Sequence, residues 1–350
     1  MKLCLAAFIL SGCSSEEPEM KDESCRIVIL LDTSTSSLSS GAESHDTRSI
    51  GDFTTRSVVS ENDVKNLTLY VVTDDNRSFP VVSRYLGQQN GNSRYEATLS
   101  VAEDYVTYNP TDKSYYLSGR IAAVANMPVD PVHHPFSEDT FPVSQITSLG
   151  LIPMWGITTV EDLKLRVGDR IDCGTTIEML RAVPKFTLTL ADDIREEFKI
   201  TGVVPSTKDF NLTAFCQPGA AETAKETGLL SKAEWYNPAS ADNKKGDGVT
   251  VTDLNTDCVR VYTGERSFDS TNPRSTYLNV TIERRDGTGA PIKGKVYMCD
   301  YKNGSPDFNS AFDRIVRNHD YQYSISLASL EMIVSFRQWI YGGKVHIDLE

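Results

Sequence analysis

The chain has 350 residues, of which 39% are hydrophobic and 9% aromatic, and its formal net charge is −13. This composition supports packed cores rather than a disordered chain, and the length is enough for two domains of ordinary size. The negative charge argues against nucleic acid as a partner and against charge-driven docking on an anionic membrane, because both require clustered basic residues.

The N-terminus predicts a lipoprotein signal peptide over residues 1–12. Lys2 precedes an apolar run at residues 3–10, which is too short to span a bilayer as a helix. The following Leu-Ser-Gly-Cys resembles the lipobox of bacterial lipoproteins. That resemblance implies cleavage before Cys13, acylation of Cys13 with fatty acid such as palmitate, and a lipid anchor in the outer membrane. The alternative is a plain secretory signal followed by a chance cysteine.

The segment from Cys13 to Arg56 is expected to contain a first strand followed by a protease-accessible loop. Its apolar run, RIVILLD, predicts the strand. The polar stretch at residues 44–63 carries the bonds Arg48-Ser49 and Arg56-Ser57, and such loops are preferred sites of proteolysis. The alternative is an ordinary edge strand with incidental arginines beyond it. The apolar residues of the strand are Ile27, Val28, Ile29, Leu30 and Leu31.

Alternation of apolar and polar residues dominates the remaining chain and predicts strands with one buried face. Helical patterns are restricted to residues 192–198 and 222–235, and turn-forming clusters such as KNGSPD separate the strands. A shift in composition near residues 205–245 suggests a boundary. We therefore expect an all-β chain of two β-sandwich domains in tandem, at residues 57–211 and 212–350, with few short helices. The clearest alternating runs lie at residues 67–71, 186–190, 278–282 and 321–327.

No pattern in the sequence indicates catalysis, a metal site or a cofactor. His133 and His134 are adjacent, but no acidic or cysteine partner stands at ligand spacing, and no G-x-S-x-G motif occurs. Apart from Cys4 in the signal and the lipobox Cys13, the cysteines are far apart and are expected to pack as small hydrophobic residues. The protein is therefore expected not to be an enzyme. These cysteines are Cys25, Cys173, Cys216, Cys258 and Cys299.

Three segments, in this order, resemble the fimbrillins, the subunits of type V pili of anaerobic oral and gut bacteria. The first is SENDVKNLTLYVV at residues 60–72, which is similar to the start of the fimbrillin core. The second is LIPMWG at residues 151–156, and the third is RIVRNHDYQYSIS at residues 314–326, followed by a tryptophan-containing segment. Each motif is weak alone, but their order and spacing cover nearly the whole chain behind a lipobox.

The resemblance implies two transthyretin-like β-sandwich domains and assembly by strand exchange. In this scheme an arginine-specific protease cuts after the first strand, at Arg56 or alternatively at Arg48, and removes strand and lipid together. The emptied groove then accepts a C-terminal strand of a neighbouring subunit. The expected donor residues are Val334, Phe336, Trp339, Val345, Ile347 and Leu349.

The sequence thus predicts a structural subunit of a pilus on the cell surface, with other pilus subunits as partners and support of adhesion as its role. One alternative is an anchor or accessory subunit that keeps its lipid and is not cut. Another is a glycan-binding surface lipoprotein, which would need an exposed aromatic platform. Trp155, Trp235 and Trp339 are too scattered in the sequence to suggest one.

Overall fold

The structure is a computed structural model that describes residues 24–32, 64–75, 77–89, 92–127, 146, 150–207, 210–211, 244–245, 249–267, 271–312, 314–315, 317–328 and 331–341. Within these residues the chain forms 23 β-strands, so the predicted all-β class is confirmed. The buried apolar side chains form two cores, one from residues 25–179 and the other from residues 186–334.

The first core is enclosed between two layers of strands that share β3. The first half of β3 pairs with β2 and the second half with β4, so this strand passes from one layer to the other. One layer has the order β8-β1-β4-β3; the other has the order β3-β2-β6-β7-β9, with β5 paired to β6. Ile29 and Leu69, from opposite layers, belong to the same core, which makes this half a β-sandwich. The strands are β1 (Ser24–Asp32), β2 (Leu67–Val72), β3 (Ser78–Gln89), β4 (Asn92–Ser100), β5 (Val106–Asn109), β6 (Ser114–Ala125), β7 (Met154–Leu165), β8 (Arg170–Glu178) and β9 (Leu180–Arg181).

The second core also lies between two sheets. One has the order β14-β15-β10-β22-β23 and the other the order β11-β17-β18. Leu188 of the first sheet and Val280 of the second both point into this core, as the alternation in their runs predicts. The strands are β10 (Lys185–Leu190), β11 (Phe198–Pro205), β12 (Phe210–Asn211), β13 (Lys244–Lys245), β14 (Val249–Thr252), β15 (Cys258–Thr263), β16 (Arg266–Ser267), β17 (Tyr277–Arg284), β18 (Ile292–Tyr297), β19 (Cys299–Lys302), β20 (Ser305–Ala311), β21 (Arg314–Ile315), β22 (His319–Ala328) and β23 (Glu331–Tyr341).

Strands β1 and β10 occupy equivalent positions in the two sandwiches. β1 lies between β4, to which it is antiparallel, and β8, to which it is parallel. β10 lies in the same way between antiparallel β15 and parallel β22. The first strand of each sandwich is therefore an interior strand of its sheet.

The change from one core to the other falls between Met179 and Phe186, not at the expected boundary between residues 211 and 212. The reason is that β10 is an interior strand of the second sandwich and β11 belongs to its other sheet. The shift in composition that suggested the later boundary begins near the end of β11, inside the second sandwich.

The predicted helix at residues 192–198 is replaced by turns. The amides of Arg195 and Phe198 donate to the carbonyls of Ala191 and Ile194, but the segment has only residues 191–197 between β10 and β11. So short a segment gains too few hydrogen bonds to offset the cost of helix nucleation. The second predicted helix, at residues 222–235, lies outside the described residues.

Candidate functional site

The candidate site is the groove that β1 fills between β4 and β8. Ile27 is paired with Ala97 on β4 and with Ile171 on β8, and the antiparallel pairing with β4 runs from Ser24 to Leu31. β1 is hydrogen-bonded on both sides, so the expectation of an ordinary edge strand, held as the alternative, is wrong. The strand is an inserted element whose removal would separate β8 from β4.

The inner face of β1 supplies a large part of the first core. Cys25, Ile27, Ile29 and Leu31 point into it and are essentially without solvent exposure. This alternation follows from the two-residue period of a strand, because every second side chain lies on the same face. Three of the five predicted plug residues, Ile27, Ile29 and Leu31, are therefore buried on this face. Of the other two, Val28 is buried on the outer face and Leu30 is half-buried.

The outer face of β1 carries an arrangement that the sequence did not indicate. Val28 lies beside Glu96 of β4, and both side chains are buried. Arg84 of β3 contacts Glu96 at 2.7 Å from one side, and Arg170 Nε of β8 lies 2.9 Å from Glu96 Oε2 on the other. Glu96 is in register with Val28 and Arg170 with Arg26, so the pair Glu96–Arg170 passes diagonally over β1 between these two positions.

Burial makes Cys25 a small apolar residue of the plug and not a reactive group. Withdrawal from water raises the pKa of its thiol to about 11, so the thiol stays protonated near neutral pH. The thiols of Cys173, Cys258 and Cys299 are also free, and burial raises the pKa of each. The packing role expected for these cysteines agrees with that environment, and Cys216 lies outside the described residues.

The processing residues do not fall within the described part of the chain. Cys13, Arg48 and Arg56 all lie outside it, as do the donor candidates Val345, Ile347 and Leu349. Their roles therefore remain predictions from the sequence.

The other donor candidates lie on β23, the last strand of the second sandwich. Val334 is buried in the second core, and the backbones of Phe336 and Trp339 pair with β22 opposite Tyr323 and Tyr321. β23 thus completes the sheet of its own chain at the end of β14-β15-β10-β22-β23. Among the described strands, β22 is the one that pairs with β23 in this sheet, because β23 lies at the sheet's edge.

Two glycines form a seat for the start of β23. A Cβ atom on Gly294 of β18 would overlap Met332 Cε, and a Cβ on Gly304 would lie 2.5 Å from Ile333 Cγ2. Gly304 also has a φ of +78°, and with Asn303 at +51° it forms the two-residue turn between β19 and β20 that the KNGSPD cluster predicts. The absence of side chains at these glycines lets β23 lie close to the turn.

Two of the three motifs that resemble the fimbrillins meet where the two cores join. Trp155 of the second motif pairs with Leu180 on β9 and is fully buried, so it offers no exposed aromatic platform. Arg181 on β9 then donates from Nη1 to Oδ1 of Asn318 in the third motif at 3.0 Å. The amide of Asn318 donates to the carbonyl of Val183 at 3.1 Å. These motifs are therefore structural at this junction.

A buried ion pair continues this network. Arg317 Nη2 donates to Glu265 Oε2 at 2.8 Å, and the Arg317 amide donates to Glu265 Oε1 at 3.0 Å. His319 Nδ1 donates to the carbonyl of Arg317 at 2.9 Å. Burial lowers the pKa of His319, and it outweighs the hydrogen bond to Arg317 and the charge of Glu265, which both act to raise it. The imidazole is therefore favoured in its neutral form.

Other kinds of site receive no support from the described residues. In this part of the chain, no group of three His, Cys, Asp or Glu side chains is placed to hold a metal ion. Nor does any helix there have the length and apolar character needed to cross a membrane.

No protein-family model matches the chain, and no curated protein matches it in sequence. Among solved structures, the tip fimbrial protein Mfa3 from Porphyromonas gingivalis is 11% identical, covering 91% of this chain and 99% of that one, with a TM-score of 0.46. The fimbrilin FimA of the same organism is 11% identical, with coverages of 88% and 91% and a TM-score of 0.41. Its fimbrial anchor protein Mfa2 is 7% identical, with coverages of 89% and 95% and a TM-score of 0.32.

Proposed function

We propose that this protein is a fimbrillin-like structural subunit of a cell-surface pilus that assembles by protease-triggered strand exchange. The observation that carries the proposal is the position of β1, an interior strand that one cut in the chain would separate from all the others. β2 begins only at Leu67, and the two candidate Arg-Ser bonds lie between β1 and β2. Cleavage at Arg56, or at Arg48, would convert a complete sandwich into one with an open groove.

The energetics favour refilling of such a groove. Complete burial of a large aliphatic side chain stabilises a fold by about 1.5–3 kcal/mol. Ile27, Ile29 and Leu31 on the inner face, and Val28 on the outer face, are buried to this degree. Their loss would remove a free energy comparable with the whole stability of an ordinary domain, which is roughly 5–15 kcal/mol. A chain without β1 therefore gains strongly from any strand that restores the pairing.

The two edges that the groove presents suit an incoming strand. β4 and β8 would each expose a row of unpaired backbone groups, and an added strand satisfies both rows while alternate side chains enter the core. A C-terminal segment of a neighbouring subunit is the proposed donor, because a strand near the end of a chain can leave without breaking a connection. The lipid on Cys13 would hold the precursor in the outer membrane until cleavage.

The mature N-terminus in surface fractions of the producing cell tests this proposal. Ser57 or Ser49 at the N-terminus is expected for a polymerising subunit, and the double variant Arg48→Ala/Arg56→Ala should remain uncut and monomeric. Arg77→Ala is the matched control, because Arg77 also precedes a serine but is held by Asp75 and Asp104 in the folded first sandwich.

Two outcomes would contradict the proposal. An acylated Cys13 at the N-terminus of assembled surface material would instead indicate the anchor subunit. Normal assembly of the Arg48→Ala/Arg56→Ala variant into SDS-resistant polymers would show that cleavage in this segment is not the trigger.

A further inference from the structure

We infer that the ion pair between Glu96 and Arg170, here called the clasp, controls which strand the β1 groove holds and how readily that strand leaves. The inference rests on the proposed strand exchange and adds a determinant of specificity to it. The partner it describes is an extended strand of a second subunit with a small, uncharged residue at the position that Val28 now occupies.

The clasp is defined by its crossing of β1. Val28 has Glu96 as its partner on β4 and Asp172 as its partner on β8. Partners in register share a face of the sheet, so Glu96 and Val28 both lie on the outer face. Arg170 reaches from β8 to Glu96 Oε2 at 2.9 Å, without the alignment of a hydrogen bond. Arg170 itself is in register with Arg26, so this connection runs diagonally over β1 beside Val28, whose side chain is only 2% exposed.

Arg84 contacts the same carboxylate from the side away from β1. Its Nε donates to Glu96 Oε1 at 2.7 Å, and β3 is the neighbour of β4 on the side opposite β1. Arg84 therefore contacts Glu96 without passing over the groove, and Arg170 keeps its own contact with the other carboxylate oxygen. This difference makes Arg84 a matched comparison for Arg170, since both are partly exposed arginines that pair with Glu96.

The space under the clasp limits the side chain that it can cover. A bulky aromatic group at the Val28 position would push Arg170 from Glu96, and a carboxylate there would lie beside Glu96 and Asp172 at a cost. Position 26 provides the internal contrast. Arg26 is on the same outer face but is exposed, so that position tolerates a long charged side chain. The requirement is therefore local to position 28.

The test uses the full chain, cut after folding at a unique protease site introduced between residues 33 and 63. Labelled peptides of residues 24–32 are then added, and their incorporation is followed by fluorescence anisotropy and native mass spectrometry. The unchanged peptide and its Val28→Ala form should enter the wild-type groove. The Val28→Glu and Val28→Trp forms should be rejected, whereas the Arg26→Gln form should enter as a control, since it changes the exposed position 26 without placing a carboxylate opposite Arg170.

The protein variants separate the clasp from general stability. In Arg170→Gln we expect peptide exchange about three- to tenfold faster, as the loss of one ion pair would give, and acceptance of the Val28→Trp peptide. Arg84→Gln should exchange at the wild-type rate and keep the wild-type selection. Equal rates and equal selection in wild type and Arg170→Gln would overturn the inference while leaving strand exchange intact.

If no peptide enters any cut variant, strand exchange itself is contradicted. The role of the clasp is then tested in the uncut chain, by the rate at which Cys25 is alkylated. Cys25 is buried on the inner face of β1, so its alkylation measures the opening of this strand. Mass spectrometry of the digested protein distinguishes Cys25 from the other cysteines. The inference then requires faster alkylation of Cys25 in Arg170→Gln than in Arg84→Gln, and equal rates would overturn it.

Discussion

Arg181 on β9 donates from its guanidinium to Asn318 at 3.0 Å, and both side chains are buried where the two cores join. Asn318 has a φ of +60°, a left-handed conformation that asparagine tolerates better than most residues. Asn318 thus has two roles: its backbone adopts the left-handed turn, and its side chain accepts a hydrogen bond from the charged guanidinium of Arg181.

Substitution of Asn318 should separate these two contributions. We expect Asn318→Ala to lower the free energy of unfolding by about 2–4 kcal/mol, because it loses a hydrogen bond to a charged group and strains the left-handed backbone. Asn318→Gly should lose less, since glycine removes the strain and only the hydrogen bond is missing. Urea denaturation measures both, and equal losses would show that the backbone conformation contributes nothing.

The glycine seat under β23 gives a second prediction. Gly304→Ala should destabilise the protein by more than Gly287→Ala, because both have similar φ values, +78° and +74°, but only Gly304 faces a side chain at close range. The additional loss should be about 1–3 kcal/mol, as for an overpacked site. Adding Ile333→Ala to Gly304→Ala removes the clashing side chain, so it should recover the part of the stability loss that the clash causes. Adding Ile333→Ala to Gly287→Ala should recover no stability.

The free energy of unfolding should fall on acidification because His319 is buried in its neutral form. Its pKa is lowered in the fold by burial, so the unfolded chain binds a proton more readily than the folded one. The contribution of this group is therefore fully present above its unfolded pKa of about 6.5 and decreases as the pH falls through the interval down to the lower folded pKa.

Urea denaturation between pH 8 and pH 5 measures this effect. His319→Gln should show a smaller decrease in the free energy of unfolding over this range than the wild type. Identical pH profiles for the two proteins would contradict the assignment. The acidic residues contribute equally to both proteins and so cancel in the comparison.

Acylation gives a prediction about the precursor. We expect Cys13→Ala to abolish partition of the precursor into detergent, because the acyl chains would supply its membrane affinity. Cys4→Ala is the matched control, since Cys4 lies within the apolar part of the signal and should leave partition unchanged. Membrane association of Cys13→Ala equal to that of the wild type would show that Cys13 carries no lipid.

The sequence predicted the strands well where one face is buried. The alternating runs at residues 67–71 and 278–282 lie within β2 and β17, and the run RIVILLD lies within β1. Side-chain period is a local property, so it can be recognised in a single sequence. The turn at Asn303-Gly304 was recognisable for the same reason, because its backbone conformation favours these two residues.

Relationships between distant strands could not be predicted in this way. Glu96 and Arg170 are ordinary charged residues of their strands, and they meet only because β1 is placed between β4 and β8. The boundary between the sandwiches was wrong for a similar reason. The run at residues 186–190 predicts a strand, but nothing local to it indicates which sheet it joins.

The pairing of β1 also has a consequence for the order of folding. Among the described strands β1 is the first to emerge during synthesis, but its parallel neighbour β8 begins only at Arg170. Contacts between residues so distant in sequence carry a large loop-closure cost, so we expect β1 to dock after the locally connected hairpins β3–β4 and β5–β6 have formed. A newly made chain would then pass through a state in which β4 and β8 await β1. Folding itself would thus visit the open groove that cleavage later recreates.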